Sequence, residues 1–125
     1  MPLTLRLFPQ ALAICTLPPE TDLPMTDTDF YSITRTPDEL SLVLPETDIP
    51  PGATSESGWR CFYVEGPLPF DAVGILAGLT APLAAADISI FSVSSYKTDY
   101  LLVRQNDLEK ACVTLIYAGY SISEL

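Results

Sequence analysis

Proline divides this chain. Nine of its twelve prolines fall in residues 1–58 and three in residues 59–125. Proline fixes φ and carries no backbone N–H, so a segment this rich in it holds short strands and turns but little helix. The first part also carries nine acidic and two basic residues, against seven and four in the second. Between them Pro50-Pro51-Gly52-Ala53-Thr54-Ser55-Glu56-Ser57-Gly58 is small, polar and turn-rich, and reads as a connection. The expected organisation is two modules, residues 1–57 and 58–125.

The second half has the clearer periodicity. Arg60 to Glu65 is β-branched and aromatic and stops at Gly66-Pro67, the pattern of a strand. From Asp71 to Ala86 apolar residues recur at helical spacing (Val73, Leu76, Leu79, Leu83), with Asp71 as a candidate cap and Pro82 expected to kink the helix or tighten its last turn. Ile88–Val93 and Thr98–Val103 are two strands joined by Ser95-Tyr96-Lys97. Asn106-Asp107-Leu108-Glu109 has capping-box character, Leu108, Ala111, Cys112 and Leu115 line one helical face, Gly119 ends that helix, and Tyr120–Ile122 is a last strand. The order β-α-β-β-α-β is the ferredoxin-like split, with two helices on one face of a four-stranded antiparallel sheet.

Composition removes most chemistry. The net charge is −10 and the pI near 4.1, so a phosphate backbone or an anionic membrane surface is repelled: neither nucleic acid nor membrane is an expected partner. The chain has no histidine, which excludes the usual triads and every His-containing metal site. Its acids lack a metal-ligand spacing and there is no phosphate loop, so no catalytic residue, metal or cofactor is expected. Cys15, Cys61 and Cys112 are dispersed in apolar runs and read as core thiols of a reducing, cytoplasmic compartment. No long apolar run resembles a signal peptide or a membrane span. Trp59 reads as a packing anchor at the junction, and Arg35 as one half of a surface ion pair.

The first half reads as an abbreviated copy of the second. An offset of 60 sets Tyr31-Ser32-Ile33-Thr34 over Phe91-Ser92-Val93-Ser94, and Glu39-Leu40-Ser41-Leu42-Val43 over Asp99-Tyr100-Leu101-Leu102-Val103. Leu3-Leu5-Leu7 and Ala11–Leu17 add strand material, while residues 18–29 are too rich in Pro and Asp for a full helix.

Gly66-Pro67-Leu68-Pro69-Phe70-Asp71-Ala72-Val73-Gly74-Ile75-Leu76, then Pro82-Leu83-Ala84 and Ile88-Ser89-Ile90, resembles the first loop, helix and second strand of an ACT domain. Ser94-Ser95-Tyr96-Lys97-Thr98-Asp99-Tyr100-Leu101-Leu102-Val103 resembles a segment of aspartokinase-type ACT domains and of the CASTOR arginine-sensor family. Phe30-Tyr31-Ser32-Ile33-Thr34-Arg35-Thr36-Pro37-Asp38-Glu39 resembles the upstream hairpin of CASTOR-like proteins. The resemblance implies an α+β chain of two tandem ACT-like modules, the first reduced. It also implies a non-catalytic sensor of a free amino acid, working as a homodimer or higher homo-oligomer. The alternative is an ACT-fold interaction protein without a ligand.

Carried over by resemblance, the ligand loop is Phe70, Asp71, Ala72, Val73, Gly74 and Ile75, the strand edge Ser89 and Ile90, and the hairpin Tyr96, Thr98 and Asp99. Each has a plain alternative: Asp71 as a helix cap, Gly74 as close packing, Asp99 as a solvated turn acid. Where the arginine sensors carry an acid two positions before the glycine, this chain has Ala72. That departure points away from arginine, toward a neutral or smaller amino acid or none.

Overall fold

The computed structural model describes residues 3–66, 68 and 72–124. Its elements are β1 (Thr4–Leu7), β2 (Leu12–Leu17), β3 (Ser32–Arg35), β4 (Leu40–Pro45), β5 (Thr54–Val64), α1 (Ile75–Ala85), β6 (Ile90–Ser94), β7 (Asp99–Arg104), α2 (Leu108–Tyr117) and β8 (Ser121–Glu124). From β5 onward the order is β-α-β-β-α-β, as the periodicities predict. Residues Gln10–Trp59 form one compact unit, and Met1–Pro9 with Arg60–Leu125 form another.

In the larger unit the strand order is β8-β1-β5-β7-β6. The sequence suggested four antiparallel strands here and placed the first residues in the other module. Instead β1 pairs antiparallel with β5 (Leu5 with Val64, Leu7 with Phe62) and parallel with β8 (Leu5 with Ile122). The cause is burial. Leu5 and Leu7 point to the face covered by both helices, where they join Phe62, Val64, Leu101 and Val103 under Leu79 and Leu83 of α1 and Ala111 and Leu115 of α2.

The helix ends follow local chemistry. α1 starts later than Asp71, and the residue before it is Gly74, held at φ +81°. Glycine reaches that left-handed region without the Cβ penalty. Asp71, the expected cap, lies outside the described residues. Pro82 sits inside α1, and the last turn tightens as expected: Ala86 N–H donates to Leu83 O at 3.1 Å, Asp87 N–H to Ala84 O at 3.0 Å and Ile88 N–H to Leu83 O at 2.9 Å. At α2 the capping box does not form. A 3-10 turn at Gln105–Asp107 leads into the helix, and Asp107 makes no side-chain cap bond. Gly119 follows α2 at φ +107°, with its N–H on Ile116 O at 3.0 Å.

The smaller unit is built of strands in the order β3-β4-β2-β5, each pair antiparallel, with a 3-10 turn at Glu46–Asp48 after β4. Its core is Ala13, Cys15, Leu17, Leu40, Leu42 and Leu44. The stretch read as a connection is partly strand: β5 begins at Thr54, and Thr54, Ser55, Glu56 and Trp59 pair with β2 across a bulge between Leu12 and Ile14. Trp59 is buried. Among the described residues Arg35 is not in an ion pair with a carboxylate. Its guanidinium donates to the carbonyls of Pro19 and, at 2.9 Å, Thr21, holding the proline-rich stretch that replaces a helix.

The internal repeat survives with a corrected offset. Arg35 pairs with Leu40 and Ser94 with Asp99, while Thr36 N–H bonds Glu39 O and Ser95 N–H bonds Thr98 O. Turn and register therefore correspond at an offset of 59, one less than the residue identities suggested. A one-residue slip exchanges the two faces of a strand. At 59, the buried Leu42 and Leu44 fall on the buried Leu101 and Val103, which an offset of 60 does not do.

The three thiols are unpaired. Burial pushes the Cys61 thiol up from 9.0 to about 12, opposed by a backbone bond to Leu101. The unfolded thiol ionises first as pH rises, so the unfolded state releases a proton that the folded state keeps. Stability is then lost between about pH 9 and 12, by at most about 1.4 kcal/mol per pH unit from this residue. Denaturant unfolding at pH 8, 9.5 and 11 checks this: Cys61→Ala is expected to flatten the alkaline decline, and an unchanged slope assigns it elsewhere.

Candidate functional site

The β6–β7 hairpin and the loop leaving β5 converge near the start of α1. Val64 ends β5, and its carbonyl accepts the Oγ1–H of Thr98 at 2.5 Å. Two residues on, Gly66 passes so near the hairpin that a Cβ there would lie 3.1 Å from the Lys97 carbonyl oxygen. Leu68 N–H then donates to that same carbonyl at 2.8 Å. The hairpin tip is fixed internally, because Ser95 N–H and Oγ–H both donate to Thr98 O, at 2.9 and 3.1 Å. Ser94 Oγ–H donates to Asp99 Oδ1 at 2.7 Å and orients the carboxylate.

These constraints leave a cavity of about 340 Å³, within the size range of small-molecule sites. Its walls are Leu68, Ala72, Gly74 and the first residues of α1 (Ile75, Leu76, Ala77) on one side, and Ser95 to Asp99 on the other. The first-turn amides of a helix have no intrahelical acceptor and sit at the positive end of the helix dipole. Asp99 brings a carboxylate to the same cavity. An ammonium beside that carboxylate and a carboxylate near the amides is the pattern a zwitterion fits.

Of the residues singled out in the sequence, Ala72, Gly74, Ile75, Tyr96, Thr98 and Asp99 line this cavity. Val73 lines a second one, of about 420 Å³, with Leu3, Ala118, Gly119 and Tyr120; Gly74 and Ile75 border both. Phe70 and Asp71 lie outside the described residues. Ser89 and Ile90 line neither cavity: Ile90 packs against the hydrophobic core and Ser89 is exposed. Register explains Ile90, which stands opposite Val103 and shares its helix-covered face. Leu68, Leu76, Ala77, Ser95 and Lys97 line the cavity without having been singled out. Ser95 and Lys97 stood inside the recognised hairpin motif and Leu68 and Leu76 inside the loop motif, so the signal was present; Ala77 carried none.

Thr98 is structural as well as lining. It is buried, and Thr98→Val removes its bond to Val64 while keeping its shape. A buried carbonyl left unpaired costs about 1–3 kcal/mol. Urea unfolding is expected to show that loss; a change below about 0.5 kcal/mol contradicts it.

Among the described residues no group of three or more His, Cys, Asp or Glu could hold a metal ion. Burial raises the pKa of Cys15, Cys61 and Cys112, which keeps each thiol protonated and poorly nucleophilic. No helix in the described residues is long and apolar enough to cross a membrane.

A βαββαβ unit with a cavity between its first helix and its central hairpin is a ferredoxin-like α+β domain. Comparison with known proteins makes this specific: a family model described as an ACT domain matches residues 54–116, and a second, describing an N-terminal domain, matches residues 10–52. The chain belongs to the ACT domain family and is CASTOR-like within it. The bovine (Bos taurus) protein named cytosolic arginine sensor for mTORC1 subunit 1 is 33% identical over 97 residues, 69% of this chain and 30% of its own length. This chain thus spans well under half of that relative. A crystal structure of protein Atu0741 from Agrobacterium tumefaciens is 38% identical with a TM-score of 0.92, covering 100% of this chain and 95% of that one. E. coli aspartokinase III, crystallised with aspartate and ADP, shares the fold at a TM-score of 0.66 and 17% identity, covering 92% of this chain and 33% of that one.

Proposed function

We propose that this chain is a non-catalytic regulatory protein that binds a free amino acid in the cavity between the start of α1 and the β6–β7 hairpin. The observation that carries this reading is the meeting of Asp99 with the first turn of α1 around about 340 Å³ of open space. Asp99 takes the α-ammonium, with Ser94 holding the carboxylate in place. The amides at the start of α1 face the α-carboxylate. Gly74 keeps that approach open, since no atom lies within 4 Å of where its Cβ would stand. A relative supports the class of ligand: it is named as an arginine sensor.

The chain works in the cytoplasm, where its unpaired thiols stay reduced. It acts as a homodimer or higher homo-oligomer, reporting ligand through changed contacts with its own copies or a partner. A second reading, an ACT-fold interaction protein without a ligand, is favoured by Ala72 and by the outer face of α2. There Val113, Ile116 and Tyr117 are 64%, 56% and 94% exposed at helical spacing.

Thermal unfolding in the presence of each of the twenty amino acids at millimolar concentration separates the two. A ligand at 100 times its dissociation constant stabilises the folded state by about 2.7 kcal/mol. At least one amino acid is expected to raise the melting temperature; a panel in which none does removes the sensor reading and leaves the interaction protein.

A further inference from the structure

We infer that the outer surface of the helical layer, formed by α1 and α2, is the face on which a second copy of this chain docks. This gives a location to the homo-oligomer reading above, on which it rests, and does not depend on the ligand. Both helices turn one side to the same core, α1 through Leu79 and Leu83 and α2 through Ala111 and Leu115, and they pack against each other. A helix that meets water on its other side ordinarily carries polar and charged residues there, and one that is apolar all round is a covered helix. α1 is of the second kind. It contains no charged residue, and its exposed positions are Ala77, Ala81, Ala84 and Ala85, a single ridge at spacings of three and four. On α2 the exposed Val113 and Ile116 project at the same spacing, with Tyr117 at the margin as the last residue of the helix.

Charge and shape together make the occupant a second copy. The chain carries 16 acidic and 6 basic residues, so two copies repel each other at long range. α2 holds one residue of each sign, Glu109 and Lys110, and α1 holds none, so the two helices carry no net charge. Asp87 and Asp107 stand beyond the helix ends, the arrangement of an apolar centre with a charged rim. Like chains therefore meet here with little Coulomb repulsion. A two-fold dimer uses the same patch on both copies, so that patch must carry both halves of the fit. This one does. The alanine ridge of α1 is low and lets a facing helix approach to about 8 Å between axes, while Val113 and Ile116 of α2 stand out from the surface. A two-fold axis between the helices sets each copy's α2 against the other's α1.

Sedimentation velocity of the full chain, from about 1 to about 100 μM, tests this on the wild type, Ala81→Glu, Ile116→Glu and Ser92→Lys. The wild type is expected to dimerise. Each helix variant buries a charge in an apolar seam and is expected to weaken the dimer about tenfold or more. Both positions are exposed in the single chain, so the circular dichroism of these variants is expected to match the wild type, which separates lost association from lost fold. Ser92 is exposed on β6, at one edge of the sheet, where a lysine blocks strand pairing; Ser92→Lys is expected to dimerise as the wild type does. A dimer that persists in both helix variants overturns the inference and leaves the homo-oligomer reading in place, as does one lost in Ser92→Lys alone. A wild type that stays monomeric throughout the range overturns both.

Discussion

Asp99→Ala is expected to abolish the rise in melting temperature that the bound amino acid produces, while leaving the fold intact. Among the described residues Asp99 is the one carboxylate lining the cavity, and it is half-buried at the first position of β7. Truncating one partner of a desolvated, hydrogen-bonded charge pair costs about 2–5 kcal/mol, which at the lower end already weakens binding about 30-fold. The unliganded protein loses only the bond from Ser94, a short-range contact on an exposed hairpin, so its own melting temperature stays within a few degrees. Asp99→Asn separates charge from shape. It still accepts from Ser94, and it is expected to bind nearly as poorly as the alanine variant if the carboxylate meets an ammonium. A shift that survives Asp99→Ala puts the ligand elsewhere.

The largest expected loss of stability comes from Phe62→Ala. Phe62 is 1% exposed, pairs with Leu7 across β1 and β5, and packs in the cluster beneath both helices. Large-to-small changes at such a site remove transfer free energy and leave a cavity, together about 3–5 kcal/mol for phenylalanine. For a chain of this length that lowers the melting temperature by about 10–20 °C. Tyr117→Ala on the outer face of α2 is the matched control, because that side chain is 94% exposed and its removal is expected to cost about 0.5 kcal/mol or less. Calorimetry on both variants checks the contrast; equal losses contradict the placement of the core.

The larger unit was legible because its signals are local. Two helical periodicities, a hairpin and the glycine at position 119 each lie within a few residues of the structure they specify. What escaped reading depends on partners distant in sequence. Nothing in Thr4–Leu7 says that it pairs with residues 62–64 and 121–124, so its place between β5 and β8 required the folded chain. Thr54–Ser57 read as a connection because its residues are polar and exposed; pairing of Thr54, Ser55 and Glu56 with β2, not apolar burial, makes it a strand. The repeat was visible in Ser, Leu and Val identities, yet those identities were one residue out of register with the buried faces.

The site divides in the same way. The hairpin motif carried Tyr96, Thr98 and Asp99 to the cavity wall together with Lys97, which stands inside the same motif. Ser89 and Ile90 were taken from the resemblance, and the pleat of β6 turns Ile90 into the core instead.

The central claim is the location of the ligand, and amide chemical shifts report it directly. The ¹⁵N-labelled chain is titrated with whichever amino acid raises its melting temperature. The account predicts that the largest saturable shifts fall on Gly74, Ile75, Ala77, Lys97, Thr98 and Asp99. Shifts concentrated around Met25 and Asp48, which line a separate cavity of the smaller unit, with those six amides unmoved, would contradict it.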